Sequence, residues 1–118
     1  YGKTNISSKI IFKLISEGVN PVSIIRSLMI YLKRLQVTAI ELKKGSSFDE
    51  AIKSLRPPIF WKDKENFRSH CKKWNLKNIE HSLDKLFNAE ILCKTNSQIA
   101  MLICEKTVLQ IAYRGKSL

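Results

Sequence analysis

Apolar residues recur along this chain at spacings of three and four, and alternation with polar residues never runs beyond a few positions, so the pattern predicts helices rather than strands. Ile6, Ile10 and Leu14, with Ile11 and Ile15 beside them, predict a first helix through Glu17 that stops at Gly18. Asn20-Pro21 restarts the chain. Asn20 can accept hydrogen bonds from orphan amides, and Pro21 fits the first helical turn, where its missing N–H is not needed. The turn between is tight, so these two helices are expected to pack as neighbours.

The longest predicted helix runs from Pro21 to Lys44, with Ile25, Leu28, Leu32, Leu35, Ala39 and Leu42 as one continuous seam. Ile24, Met29, Ile30, Tyr31, Val37 and Ile40 widen the apolar surface well beyond one stripe. Such a helix is either central in its bundle or covered on a second side by a partner. Gly45 ends it, and Ser47 with Glu50 has the spacing of a capping box that opens a short helix to about Ser54. Arg56-Pro57-Pro58 stops that helix. Beyond Ile59-Phe60-Trp61 comes a basic amphipathic helix with Phe67, Cys71 and Trp74 on one face. Asn75 is positioned to cap the next, whose inner stripe is Leu76, Ile79, Leu83 and Leu86, joined by Phe87 and extending toward Cys93. Glu90 interrupts that stripe and is expected to pair with Lys94 one turn on, or with a cation from another helix. After Asn96-Ser97, a last helix carries Ile99, Leu102, Ile103, Cys104, Val108, Leu109 and Ile111 and frays near Gly115. The expected fold is all-α: an antiparallel bundle of five to six helices, forming one domain over residues 1–118.

Charge changes this picture more than size does. Lys and Arg number 21 against 10 Asp and Glu, a net charge of +11, which favours an anionic partner such as nucleic acid or an acidic protein surface. The excess is spread along the chain rather than clustered. Cys71, Cys93 and Cys104 are odd in number, lack C-x-x-C spacing and lie at apolar helical positions, so a disulfide framework is not expected and a cytoplasmic setting is. No apolar run reaches the ~18 residues of a membrane span, and no membrane partner is expected. Because the chain opens at Tyr1 with no initiating methionine, it is expected to be a segment of a longer protein cut at a domain boundary.

Candidate chemistry is sparse. The four glycines are far apart, which argues against a phosphate-binding loop, and Gly2-Lys3-Thr4 lacks the upstream glycine and strand such a loop needs. His70 and His81 do not combine with Cys71 and Cys93 at zinc-ligand spacing. His70 and Cys71, being adjacent on a helix, point about a hundred degrees apart and make a poor nucleophile and base. The expectation is therefore no catalytic residue, no metal and no cofactor. The run from Phe60 to Trp74 is both aromatic and basic, a combination that suits nucleic acid. Core packing is the simpler role for Phe67 and Trp74, which leaves Trp61 as the exposed aromatic.

Taken in order, Glu17-Gly18-Val19-Asn20-Pro21, Leu55-Arg56-Pro57-Pro58-Ile59-Phe60-Trp61-Lys62, Lys72-Lys73-Trp74, Ala89-Glu90 and Cys93-Lys94-Thr95 resemble the C-terminal domain of bacterial DNA polymerase III delta subunits, with the proline-aromatic segment closest to alphaproteobacterial versions. The resemblance implies a non-catalytic collar domain beside those of the gamma/tau and delta-prime subunits, in a clamp loader that places the sliding clamp on primed DNA during replication. In that family the sliding clamp is held by an N-terminal domain, which is not part of this chain.

On that basis the candidates for subunit contact are Met29, Ile30 and Tyr31 of the long helix and Met101 and Val108 of the last. Primer-template DNA held through its phosphates in the assembled loader makes Lys72, Lys73 and Lys94 the DNA-facing candidates. The alternative from another class is an autonomous basic helical nucleic-acid-binding domain.

Overall fold

The computed structural model describes residues 17–117, with side chains over residues 17–113, so the helix expected from Ile6 lies outside the described residues except for its last position, Glu17, which is in a turn. Five α-helices follow in chain order: α1 (Pro21–Lys43), α2 (Phe48–Ile52), α3 (Lys64–Lys73), α4 (Leu76–Thr95) and α5 (Ala100–Ser117). Single 3-10 turns at Trp61–Asp63 and Ser97–Ile99 lead into α3 and α5. No strand occurs among the described residues, and the fold is an all-α bundle.

Local chemistry explains most of the boundaries. The Asn20 side chain accepts the Val22 N–H at 2.8 Å, and Pro21 fills the first turn of α1. At the other end, the Gly45 N–H reaches the Leu42 carbonyl and the Ser46 N–H reaches the Glu41 carbonyl, a pairing that requires the left-handed φ of +102° found at Gly45. Gly18 also has a positive φ, +82°. The capping box of α2 is complete: Glu50 N–H to Ser47 Oγ and Ser47 N–H to Glu50 Oε1, each 3.2 Å. The Asn75 side chain accepts the Asn78 N–H at 2.8 Å and starts α4. Replacing that cap, Asn75→Ala, should cost about 1 kcal/mol of unfolding free energy in a denaturant titration.

Packing decides the rest. α1 lies along α4, α4 along α5, and α1 also meets α2, α3 and α5, so α1 is the central helix. The core joins Ile24, Ile25, Leu32 and Leu35 of α1 to Ile79, Leu86 and Cys93 of α4 and to Cys104, Val108 and Ile111 of α5. Phe67 and Trp74 are buried beneath α3, as their shared face required. Four details depart from expectation. α2 ends at Ile52 rather than near Ser54, α5 stays helical to Ser117 rather than fraying near Gly115, and Phe87 is exposed rather than inward. Finally, the inner face of α4 is set by Ile79, Ser82, Leu86, Ala89 and Cys93, one flank over from the expected stripe. Small Ser82 and Ala89 let α1 approach closely along that flank, and Phe87, about 100° further round than Leu86, is turned to the outside.

Buried hydroxyls are handled locally. Thr38 and Thr107 donate to the carbonyls of Arg34 (2.9 Å) and Ile103 (2.8 Å), one turn back on their own helices. The Ser82 hydroxyl, also buried, has no hydrogen-bond partner among the described residues.

Candidate functional site

The surface between α1 and the 57–70 segment forms a groove of about 520 Å³, with Ile24, Leu28, Pro57, Ile59, Phe60 and Phe67 among its walls. Arg34 braces it by donating to the Pro57 carbonyl at 2.8 Å. On one wall the Tyr31 hydroxyl is hydrogen-bonded to His70 Nδ1, and the Tyr31 ring meets Phe67 edge-on, with centroids 6.0 Å apart. Burial, with the nearby Cys71, raises the Tyr31 phenol well above its ordinary range, so this hydroxyl stays protonated. Phe48 extends the cluster, and the half-buried Arg68 guanidinium sits 4.6 Å over its ring. Lys64 pairs with Asp49, tying α3 to α2. Tyr31 therefore belongs mainly to the seam joining α1 to α3, with only part of it open to the groove.

The remaining contact candidates separate. Ile30 lies on the outer face of α1, exposed, while Met29 and Met101 are half-buried. Val108, expected on the outside, is 3% exposed and packs in the core, because it shares the inward face of α5 with Cys104 and Ile111. The outward residues of α5 are Leu102, Leu109 and Tyr113. They lie opposite Cys104 and Ile111 on a helical wheel, so spacing separates the two apolar faces without saying which one turns inward.

The DNA-facing candidates are not brought together. Lys72 is exposed and Lys73 half-buried at the end of α3, just before α4 begins, whereas Lys94 is exposed in the last turn of α4. The length of α4 puts them about 28 Å apart along its axis. Lys94 is also engaged: Glu90 accepts from Lys94 at 2.9 Å and from Arg26 of α1 at 3.1 Å. Both expected kinds of partner are thus present at once. Hydrogen bonds from Arg26 and Lys94 hold the Glu90 carboxyl below its ordinary value of 4.5. A depressed folded-state value means that the pairing supports the fold above that ordinary value and is lost as pH falls through the lower one. Glu90→Gln should accordingly flatten the acid side of the stability-versus-pH curve while leaving its shape above pH 6 unchanged, as thermal melts across pH would read.

Burial pushes the thiols of Cys71 and Cys104 up to about 11, so neither is a thiolate at neutral pH. Burial and the nearby Glu90 raise Cys93 as well. All three are free thiols. Among the described residues no cluster of three or more His, Cys, Asp or Glu side chains is arranged for a metal, and no helix is long and apolar enough to cross a membrane.

The exposed aromatic signal is wider than the sequence suggested. Trp61 is 86% exposed and the adjacent Phe60 lies open beside it, on the rim of the groove. Large apolar side chains are also exposed on α1 (Ile30, Val37, Ile40), α4 (Phe87, Ile91, Leu92) and α5.

The chain is similar to the probable DNA polymerase III subunit delta of Rickettsia prowazekii (strain Madrid E), with 32% identity over 80 residues, 68% of this chain and 25% of that protein. The chain thus spans about a quarter of its relative, and the match supports a delta-like relationship. No family model matches the chain, and no solved structure does.

Proposed function

We propose that this chain is the C-terminal collar domain of a DNA polymerase III delta-type subunit, a non-catalytic assembly module of a cytoplasmic clamp loader. Its task is to fix the subunit's place beside the gamma/tau and delta-prime subunits, in the loader that sets the sliding clamp on primed DNA. The observation that carries this is a conjunction: helices α1, α4 and α5 each bury one apolar face and expose further large apolar side chains, in a chain similar to a delta subunit. Contact with the sliding clamp falls to residues outside this chain, and primer-template DNA is met through the assembled loader. Ile30, Met29 and Met101 remain contact candidates, with Tyr31 contributing only what the groove leaves open.

The experiment is a co-purification of the full-length protein with purified gamma/tau and delta-prime subunits. Co-elution as one complex is the expected result, and separate elution of every component would overturn the assembly role. A net charge of +11 favours a second reading, an autonomous nucleic-acid-binding domain. That reading requires submicromolar binding of primer-template DNA without partners, weakening steeply as salt rises.

A further inference from the structure

Helix α5 is apolar on two opposite sides. Cys104, Val108 and Ile111 face the core. Diametrically across lie Leu102, Lys106, Leu109 and Tyr113 of α5, continued backward by Ile99 of the 3-10 turn that leads into it, all exposed, with Leu102 at 65% and Tyr113 at 76%. Their spacing is three, four, three and four, the repeat of a seam that packs knobs into the holes of another helix. Exposed Gln98 and Gln110 flank it. The seam runs about 21 Å along the axis, too short to hold two proteins together by itself and suited to one contact within a larger junction.

Lys106 stands at the exact middle of this seam and forms no ion pair with a described residue. That position decides the occupant. A second copy packed about a two-fold axis through the seam centre, or running parallel in register, would set Lys106 against Lys106 in a contact shielded from water, and each copy carries a net charge of +11. Like charges there repel, whereas a carboxylate facing Lys106 would be attracted and would fix the register. We infer that the outward seam of α5 receives an amphipathic helix of a different protein, one with an apolar three-four seam and an Asp or Glu opposite Lys106. The inference rests on the assembly role proposed above and assigns that role its contact surface and the chemistry of its partner.

The test measures affinity of the full-length protein for the purified gamma/tau and delta-prime subunits, with Leu102→Glu/Leu109→Glu, Lys106→Glu and a charge control, Lys53→Glu, on exposed surface elsewhere. The double variant should weaken binding by about a hundredfold, as for loss of interface anchors. Lys106→Glu should weaken it about tenfold and Lys53→Glu should leave it unchanged. Circular dichroism melts should match the wild type, since the substituted side chains are exposed; if the double variant melts early, Leu102→Gln/Leu109→Gln replaces it. Wild-type binding that survives either double variant undiminished overturns the inference and leaves the assembly role standing. Absence of wild-type binding overturns both. Self-association abolished by the double variant would make a second copy the occupant, which also overturns the inference.

Discussion

Leu86→Ala should lower the unfolding free energy by about 3 kcal/mol, while Phe87→Ala, one residue later, should change it by less than about 1 kcal/mol. The contrast follows from where the two side chains sit. Leu86 is 0% exposed, in the core that joins α4 to α1 and α5, so its truncation removes transfer free energy and leaves a cavity that rigid neighbours only partly fill. Phe87 is 58% exposed and loses little on truncation. For a domain of this size a loss of 3 kcal/mol corresponds to a fall in Tm of roughly 12 °C, easily read by circular dichroism. Equal costs at the two positions would mean that α4 is rotated about its axis from the orientation described.

That pair also shows what was legible in the sequence. Caps and stops were, because they depend on groups within a few residues: Asn20, Gly45, Ser47 with Glu50, and Asn75 each act on backbone that the local sequence already presents. The pairing of Glu90 with Lys94 was legible for the same reason, one helical turn being a local distance. Its bond to Arg26 spans 64 positions and needs the packing of α1 on α4, which no spacing rule supplies. The inner face of α4 was legible only to within one flank. Leu83 and Phe87 are the more hydrophobic choice, yet Ser82 and Ala89 lie inside because a close helix approach favours small side chains there. Val108 failed as an outward candidate on similar grounds: an apolar helix offers several faces, and the core selects one. The surplus of apolar surface was legible as a quantity, and its location on α5 was not.

Trp74→Ala should be the most damaging single truncation in the α3 region, at about 4 kcal/mol, and Trp61→Ala should stay within about 0.5 kcal/mol of the wild type. Trp74 is 7% exposed and closes α3 with its N–H on the His70 carbonyl at 2.9 Å, immediately before the Asn75 cap that starts α4. Its loss would open the core where two helices are joined. Trp61 protrudes into solvent beside Phe60, and nothing in the fold depends on its indole. Tryptophan fluorescence tests the assignment directly: Trp61→Ala should leave blue-shifted emission that iodide barely quenches, whereas the wild type combines that signal with a quenchable one. An unquenchable wild type would place Trp61 inside and reverse the expected costs. Because Trp61→Ala spares the fold, it also separates the two functional readings. An autonomous nucleic-acid-binding domain that stacks bases on this aromatic should lose about 1 to 3 kcal/mol of single-stranded DNA affinity on its removal. An assembly module whose contacts lie on α5 should keep its subunit affinity, since the side chain removed lies in the 3-10 turn before α3 and not in the α5 seam.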